Sequence, residues 1–200
     1  MARTKNFDRE EKLIQAMELF WQKGYADTSV SDLVECLGIN RFSLYNTYTD
    51  KATLFSEALE YYLKKVSFPP LHNLLHDKAG YEDIVAYLKR FASLQREQTC
   101  GCFMQNALLE RAHCDEAVLA TGGVLFNALA ERFQTAIQNA QEQGEWNMST
   151  DAEHFSHFLV MQMQGIRVLG KARQYELVDN GVGVLLSLLA MQNQAGAKYH

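Results

Sequence analysis

Apolar positions recur at helical spacing along almost the whole chain, and runs that alternate apolar and polar residues are missing. The spacing predicts helices over residues 8–23, 29–37, 41–48, 51–66, 71–77, 81–98, 102–112, 115–143, 151–173 and 175–192. Glycines and the adjacent Pro69 and Pro70 stand in the breaks, where helices end. We therefore expect an all-α fold of about nine helices.

The segment from Thr28 to Leu54 has the pattern of two short helices joined by a tight turn, with a third helix opening at residues 50–51. Ser29 and Asp32 have the spacing of a capping box at the start of the first helix. Gly38 can supply the left-handed stop after it, and Asn40 is a favourable N-cap for the next. This arrangement predicts a helix-turn-helix, whose second helix enters the major groove of DNA.

The second helix of this motif has two predicted faces. Leu44, Tyr45 and Tyr48 are expected to turn inward, while short polar residues and Arg41 lie on another face. A cation in the first helical turn is locally unfavourable, which indicates a phosphate or a guanine edge as the partner of Arg41. Phe42 either faces base-pair methyl groups or packs locally.

The charge of the chain limits how it can bind DNA. The chain has a formal net charge of −5, and residues 1–51 hold seven basic side chains against eight acidic ones. A broad basic surface is therefore excluded as the basis of DNA binding, which must depend on a few placed groups. The longest apolar stretch, 182–191, is too short to span a bilayer, and the N-terminus has no signal-peptide core, so we expect a cytoplasmic protein.

The Ser67–Pro70 segment must break the helix that follows the motif, and we place the domain boundary there. The prediction is a DNA-binding domain over residues 6–66, with its motif at about 29–48 and a connecting helix at 51–66. An effector-binding and dimerisation domain would follow over residues 67–200. The last two helices are apolar almost all round, so a second copy of the chain is expected to cover them. The predicted interface residues are Phe158, Gly165, Ile166, Leu169, Val182, Leu185, Leu186 and Leu189.

A ligand pocket is expected between the helices of residues 81–143 and 151–173, suited to a small and partly hydrophobic effector. Its candidate residues are Cys102, Phe103, Asn106, Glu110, Phe126, Trp146, Met161 and Gln164. The pair Gly122–Gly123 predicts a kink or a close backbone contact in the long helix.

The sequence carries only weak signs of a thiol, metal or catalytic site. Cys100 and Cys102 allow an alternative in which the protein is a thiol-based sensor, because Cys102 lies near a predicted helix N-terminus. The four cysteines are otherwise expected to be free thiols, and two histidine pairs lack the residues of a metal site. We expect no cofactor and no metal. An enzyme is a remote alternative, since phosphate loops, dinucleotide fingerprints and nucleophile elbows are missing.

The first fifty to sixty residues closely resemble the DNA-binding domain of TetR-type (TetR/AcrR) transcriptional regulators. The residues that carry the resemblance are Ala16, Phe20, Gly24, Tyr25, Thr28, Leu33, Gly38, Ile39, Ser43, Leu44, Tyr45, Tyr48, Lys51 and Leu54. The resemblance implies an N-terminal three-helix helix-turn-helix bundle before a larger helical domain. It also implies a homodimer on a roughly palindromic operator, usually repressing and released by a small effector.

Resemblance and residue chemistry together give the set expected to contact DNA. Thr28 and Lys51 are predicted to cap the helices that flank the motif and to contact phosphate. Phe42 departs from the family, which usually has a small residue there, so the operator cannot be transferred from relatives. The full predicted set is Thr28, Arg41, Phe42, Ser43, Tyr45, Asn46, Thr47, Tyr48 and Lys51.

Overall fold

The computed structural model describes residues 7–193. Within this range the chain forms α1 (Arg9–Lys23), α2 (Val30–Leu37), α3 (Arg41–Tyr48), α4 (Lys51–Tyr62), α5 (Tyr81–Leu94), α6 (Phe103–Arg111), α7 (Glu116–Glu142), α8 (Ala152–Lys171) and α9 (Tyr175–Gln192). Residues 7–193 contain no β-strand, only an isolated bridge between Trp146 and Asn193. The all-α prediction is confirmed. The predicted domain limits at residues 6 and 200 lie outside the described residues.

Local sequence signals fix the ends of the helices around the motif. The backbone N–H of Ser29 donates to the Asp32 carboxylate at 2.7 Å, and the Asp32 N–H donates to the Ser29 hydroxyl at 3.0 Å, so the predicted capping box is present. Gly38 ends α2 in the left-handed conformation, with φ 61° and ψ 28°. The Asn40 side chain accepts from the Ser43 N–H at 2.8 Å and caps α3.

Prolines shape the segment after α4 differently from the prediction. A π-helical turn, Leu63–Ser67, continues α4, and a 3-10 helix, Pro69–Leu74, replaces the helix expected over 71–77. Proline lacks the N–H that an α-helix interior needs but is tolerated at a helix start, so the two prolines open the new helix.

The described chain divides into two compact units. The first takes the chain up to Ser67 together with Cys102–Gly123, and the second takes Phe68–Gly101 and the described chain from Val124 onward. The break between residues 67 and 68 falls inside the predicted boundary segment. Residues 102–123 were expected to belong to the second domain, whereas their contacts place them in the first unit. The functional domain limits stay a prediction.

Aromatic rings fill the core of the first unit. Phe55 on α4 makes edge contacts with Phe20 of α1 at 5.0 Å and with Phe103 of α6 at 5.5 Å between ring centroids. Tyr62 also packs against Phe103, at 5.7 Å. Aromatic pairs in this geometry contribute about 0.5–1.5 kcal/mol each beyond their buried area. Helix α6 is therefore packed into the same core as α1 and α4.

The second unit has a core of its own. Trp146 is fully buried and packs against Tyr81 and Phe155, while Tyr87 of α5 meets Phe133 of α7 at 5.6 Å. Gly170 of α8 lies against α5, where a Cβ atom would come within 2.6 Å of the Gln95 side chain.

The glycine pair of α7 leaves the helix unbroken. A Cβ atom on Gly122 would lie 2.8 Å from the side chain of Leu108, whereas one on Gly123 would meet no atom within 4 Å. A kink or a close backbone contact was predicted here; the close contact is present at Gly122, against the Leu108 side chain, and α7 runs continuously from residue 116 to residue 142. None of the helices in the described part is both long and apolar enough to cross a membrane.

Candidate nucleic-acid interface

Helix α3 is anchored to the protein by one buried face. Leu44 is 3% exposed and Tyr48 is 1% exposed, and these two residues stand one helical turn apart. The Tyr48 hydroxyl donates to the carbonyl of Arg9 at 2.9 Å, and the Arg9 guanidinium lies 5.0 Å from the centroid of the tyrosine ring. Burial raises the pKa of Tyr48, which keeps this hydroxyl protonated as a donor. The predicted packing of Tyr48 is confirmed, and its hydroxyl is engaged inside the protein instead of facing DNA.

The opposite face of α3 is open. Successive residues of an α-helix turn by about 100°, so Phe42 and Asn46 point about 160–200° away from Leu44. Phe42 is 76% exposed, and Asn46 is also exposed. Tyr45, predicted to turn inward, is 39% exposed because its position is about 100° from Leu44 rather than on the buried stripe.

The remaining polar residues of α3 flank this open face. Ser43 and Thr47 are half-buried, and the Thr47 hydroxyl donates to the Ser43 carbonyl at 2.8 Å. Because the Thr47 hydroxyl proton is used in this hydrogen bond, the threonine oxygen can only accept. A phosphate has no proton to donate, so it would gain little from a contact with Thr47. Ser43 is the better candidate for a phosphate contact of these two.

Arg41 sits at the first position of α3 and is exposed. A surface groove of about 220 Å³ is lined by Arg41 and by α2 residues that include Val30, Val34 and Glu35. Within residues 7–193, Arg41 has neither a hydrogen-bond partner nor an ion pair, so its guanidinium is available. Its position beside α2, away from the open face centred on Phe42 and Asn46, favours phosphate over a base edge as its partner.

Two predicted helix caps need correction. Thr28 is fully buried and donates its hydroxyl to the Gly24 carbonyl at 2.6 Å, while Ser29 is the residue that caps α2. Asp50, rather than Lys51, caps α4, since its carboxylate accepts from the Thr53 N–H at 2.7 Å. A buried hydroxyl that is already bonded has no proton to offer to phosphate in this conformation.

Lys51 is held beside the motif by an aromatic ring. Its ammonium lies 4.1 Å from the centroid of Tyr25, and the guanidinium carbon of Arg111 lies 3.7 Å from the same centroid. Burial lowers the pKa of Lys51. Cations over aromatic rings gain about 0.5–2 kcal/mol. Tyr25 therefore holds two positive charges close together within the first unit.

Glu110 has a role here that sequence reasoning missed. Its carboxylate accepts from the backbone N–H of Tyr25 at 2.9 Å and of Ala26 at 2.6 Å, in the turn between α1 and α2. Gly24, with φ 85°, opens that turn, and a Cβ atom there would approach the carboxylate to 3.1 Å. Glu110 and Tyr25 are 85 residues apart in sequence, so local patterns carry no signal of this contact.

The residues predicted to line an effector pocket are distributed over both units. Cys102, Phe103, Asn106 and Glu110 belong to the first, and Phe126, Trp146, Met161 and Gln164 belong to the second. Phe103 and Trp146 are core residues of their own units, and Met161 is 60% exposed. The pocket assignment stays a prediction for all eight residues, of which Asn106, Phe126 and Gln164 are half-buried.

The residues predicted for the dimer interface also differ in exposure. Ile166, Leu185 and Leu189 are buried within the single chain, so they have almost no area left to bury against a second copy. The other five are half-buried or exposed (Phe158, Gly165, Leu169, Val182 and Leu186).

The thiols and histidines show no assembled site in the described part of the chain. Cys102 is buried and Cys100 is half-buried, and neither forms a disulfide. His76 lies 3.3 Å from Asp83, and His154 lies 3.5 Å from Asp151. Among residues 7–193, no group of three or more His, Cys, Asp or Glu side chains is placed to hold a metal ion.

Comparison with known proteins decides the family. Residues 13–58 match the family model of bacterial regulatory proteins of the tetR family. Over 170 residues the chain is 32% identical to the HTH-type transcriptional repressor ComR of Escherichia coli (strain K12), an alignment that covers 83% of this chain and 80% of ComR. The chain belongs to the tetR family. It is a DNA-binding transcriptional regulator, and the relatives it matches are regulators and not enzymes.

Solved structures agree with this assignment. A TetR transcriptional regulator of Chloroflexus aurantiacus superposes with a TM-score of 0.83 over 92% of this chain and 95% of its own, at 23% identity, which supports the fold. A cysteine mutant of the TetR-family regulator CifR, in complex with 26-bp double-strand operator DNA, superposes with a TM-score of 0.73 at 26% identity, over 90% of this chain and 98% of its own.

Proposed function

We propose that this protein is a dimeric, operator-specific repressor that leaves its DNA when a small effector binds. The observation that carries the proposal is the open face of α3, where exposed side chains stand opposite the buried Leu44 and Tyr48. ComR is named a transcriptional repressor, and CifR was solved with operator DNA, which supports the same role here. We place the action in the cytoplasm, where a regulator meets the chromosome.

Exposed apolar side chains on α8 and α9 support dimerisation through these helices. The exposed residues are Met161, Val168, Leu177, Val184, Leu188 and Met191, between 40% and 75% exposed. Large apolar side chains gathered on two neighbouring helices mark an interaction surface. A two-fold axis through this surface would form a four-helix bundle, to which Phe158, Gly165, Leu169, Val182 and Leu186 could add area. The two α3 helices must then stand about 34 Å apart to enter successive major grooves.

A buried charge in the second unit supports effector binding there. Arg167 of α8 is 8% exposed, and its hydrogen bond to the Gln164 side chain is long, at 3.3 Å. Its guanidinium carbon lies 5.1 Å from the centroid of Phe91, and no carboxylate of residues 7–193 forms an ion pair with it. A buried cation without a counter-charge is costly and suits an effector that carries an acidic group beside an apolar body.

The DNA-binding part of the proposal has a direct test. Arg41→Ala and Tyr45→Ala are each expected to weaken binding to DNA fragments that the purified protein selects, and Arg41→Ala should lower the salt slope by about 1. Arg90→Ala is the matched control, because Arg90 is an exposed arginine of the second unit. Unchanged affinity and salt dependence in both α3 variants would refute the proposal.

The dimer surface is tested separately by Val184→Glu, which places a charge at a side chain that is 62% exposed on α9. Sedimentation should show that the variant is a monomer, and its operator binding should be weaker than that of the wild type. The control Val124→Glu changes an equally apolar position, 55% exposed on α7, and should stay dimeric. A dimeric Val184→Glu protein would rule out this surface as the interface.

A further inference from the structure

The centre of the open face of α3 consists of one large apolar side chain and one amide. Phe42 and Asn46 are four residues apart, so they share a face and are separated by about 6 Å along the helix axis. Their position is opposite the buried stripe of Leu44 and Tyr48. These two side chains, rather than Arg41, are therefore the first to meet the floor of a groove that α3 enters.

Phe42 is unusual in having no partner inside the protein. Its side chain is 76% exposed, and none of the close ring pairs found among residues 7–193 includes it. An exposed phenylalanine gives up most of the free energy that its burial would bring, so its position does not serve the stability of the fold. In the major groove, the thymine C5-methyl group is the apolar feature of the base-pair edges, and phenylalanine packs against it.

Asn46 is equally free to bind outside the protein. Its amide forms no hydrogen bond with any residue in the range 7–193, and the residue is exposed. An asparagine amide can donate and accept at once, and it matches the N6 donor and N7 acceptor of adenine in a bidentate pair. Adjacent base pairs are about 3.4 Å apart, so two side chains about 6 Å apart address pairs within two steps of each other.

We propose that each operator half-site contains a thymine whose methyl group packs on Phe42 and, within two base-pair steps, an adenine that Asn46 binds through N6 and N7. This inference rests on the proposed function and names the bases that its DNA site recognises. It also gives the departure of Phe42 from the small residue usual in the family a physical role: a different base preference.

The experiment begins with selection of duplexes from a random library by the full-length protein, which defines the half-site. Each thymine is then replaced singly by uracil, which removes only the methyl group, and each adenine by 7-deazaadenine, which removes only N7. Binding of these duplexes is measured for the wild type, Phe42→Ala and Asn46→Ala. Leu109→Ala is the matched control, because Leu109 is 78% exposed on α6, outside the recognition helix.

At one thymine position of the half-site, replacement by uracil in a single half-site should weaken wild-type binding by roughly fourfold. This is the equivalent of about 0.8 kcal/mol for a buried methyl-sized group. Substitution in both half-sites should weaken it by roughly fifteenfold. Phe42→Ala should bind the thymine and uracil duplexes equally, and Asn46→Ala should likewise lose its response to 7-deazaadenine. Leu109→Ala should respond to both replacements as the wild type does.

Three failures are distinguishable. If a half-site is selected but no uracil replacement weakens binding, or Phe42→Ala keeps the wild-type response to uracil, the base assignment is wrong and the proposed function stands. If adenine N7 is dispensable within two steps of that thymine, the assignment of Asn46 is wrong. If no sequence is enriched at all, the proposed function itself fails.

Discussion

Removing the carboxylate of Glu110 should destabilise the first unit and weaken DNA binding, although this residue lies outside the helix-turn-helix. Its two oxygens accept from the N–H groups of Tyr25 and Ala26, at 2.9 Å and 2.6 Å. Those groups belong to the turn that leads from α1 into α2, and Tyr25 also supports Lys51. Glu110→Ala leaves both donors without their acceptor.

The two hydrogen bonds of Glu110 set the expected loss of stability. A hydrogen bond to a charged group contributes about 1.5–3 kcal/mol, but one half-buried carboxylate serves both donors, and water can replace part of its role. We therefore expect Glu110→Ala to lower the free energy of unfolding by about 2 kcal/mol. For a chain of this length that corresponds to a fall in Tm of about 4–8 °C. Glu110→Gln keeps one acceptor oxygen and should lose about half as much.

Urea unfolding followed by circular dichroism measures the effect, with Glu131→Ala as the control. Glu131 is an exposed glutamate on α7, and its replacement should leave the free energy of unfolding within about 0.5 kcal/mol of the wild type. Operator affinity of Glu110→Ala should fall even where the protein is fully folded, because the turn that positions α2 and Lys51 is loosened. A Glu110→Ala protein with wild-type unfolding and wild-type affinity would show that Glu110 does not support this turn.

Three other predictions concern stability and its separation from DNA binding. Tyr48→Phe removes a hydrogen bond to a backbone carbonyl of α1 and should cost about 0.5–1.5 kcal/mol of stability with operator affinity unchanged. Tyr45→Phe should instead weaken operator affinity and leave stability unchanged. Gly170→Ala should destabilise by about 1–3 kcal/mol, since a Cβ would come within 2.6 Å of a neighbouring Cβ, while Gly123→Ala should stabilise by up to about 1 kcal/mol in thermal unfolding. The Ser29 N–H bond and then Lys23 lower the pKa of Asp32 from 3.8 to about 2, so its contribution is present above pH 4 and lost as pH falls from about 4 to 2. Asp32→Asn should flatten the fall of Tm in that window, and an unchanged pH profile would contradict the assignment.

Features set by neighbouring residues could be predicted from the sequence. The capping box of Ser29 and Asp32, the left-handed Gly38 and the Asn40 cap depend on contacts within three residues, and all three are confirmed. The buried positions of Leu44 and Tyr48 also follow, because they repeat at one helical turn. Local chemistry thus determines the shape of the motif.

Features that depend on distant parts of the chain could not be predicted. Residues 102–123 join the first unit because Phe103 packs against α4 and Glu110 bonds to the α1–α2 turn, and both contacts are remote in sequence. Apolar periodicity also could not divide α8 and α9 into inner and outer faces. Leu185 is buried within the chain whereas Val184 is 62% exposed, yet both are simply apolar in the sequence.

We propose that the open face of α3 gives the protein its sequence-specific DNA binding. The measurement that tests it most directly is the affinity of the full chain for a selected operator duplex and for a scrambled duplex, by fluorescence anisotropy at one salt concentration. The wild type should prefer the operator by a factor of about 10³ or more, and the double variant Phe42→Ala, Asn46→Ala should lose most of that preference while keeping its affinity for scrambled DNA. Equal affinity of the wild type for both duplexes, or an undiminished preference in the double variant, would show that the open face of α3 is not the source of specificity.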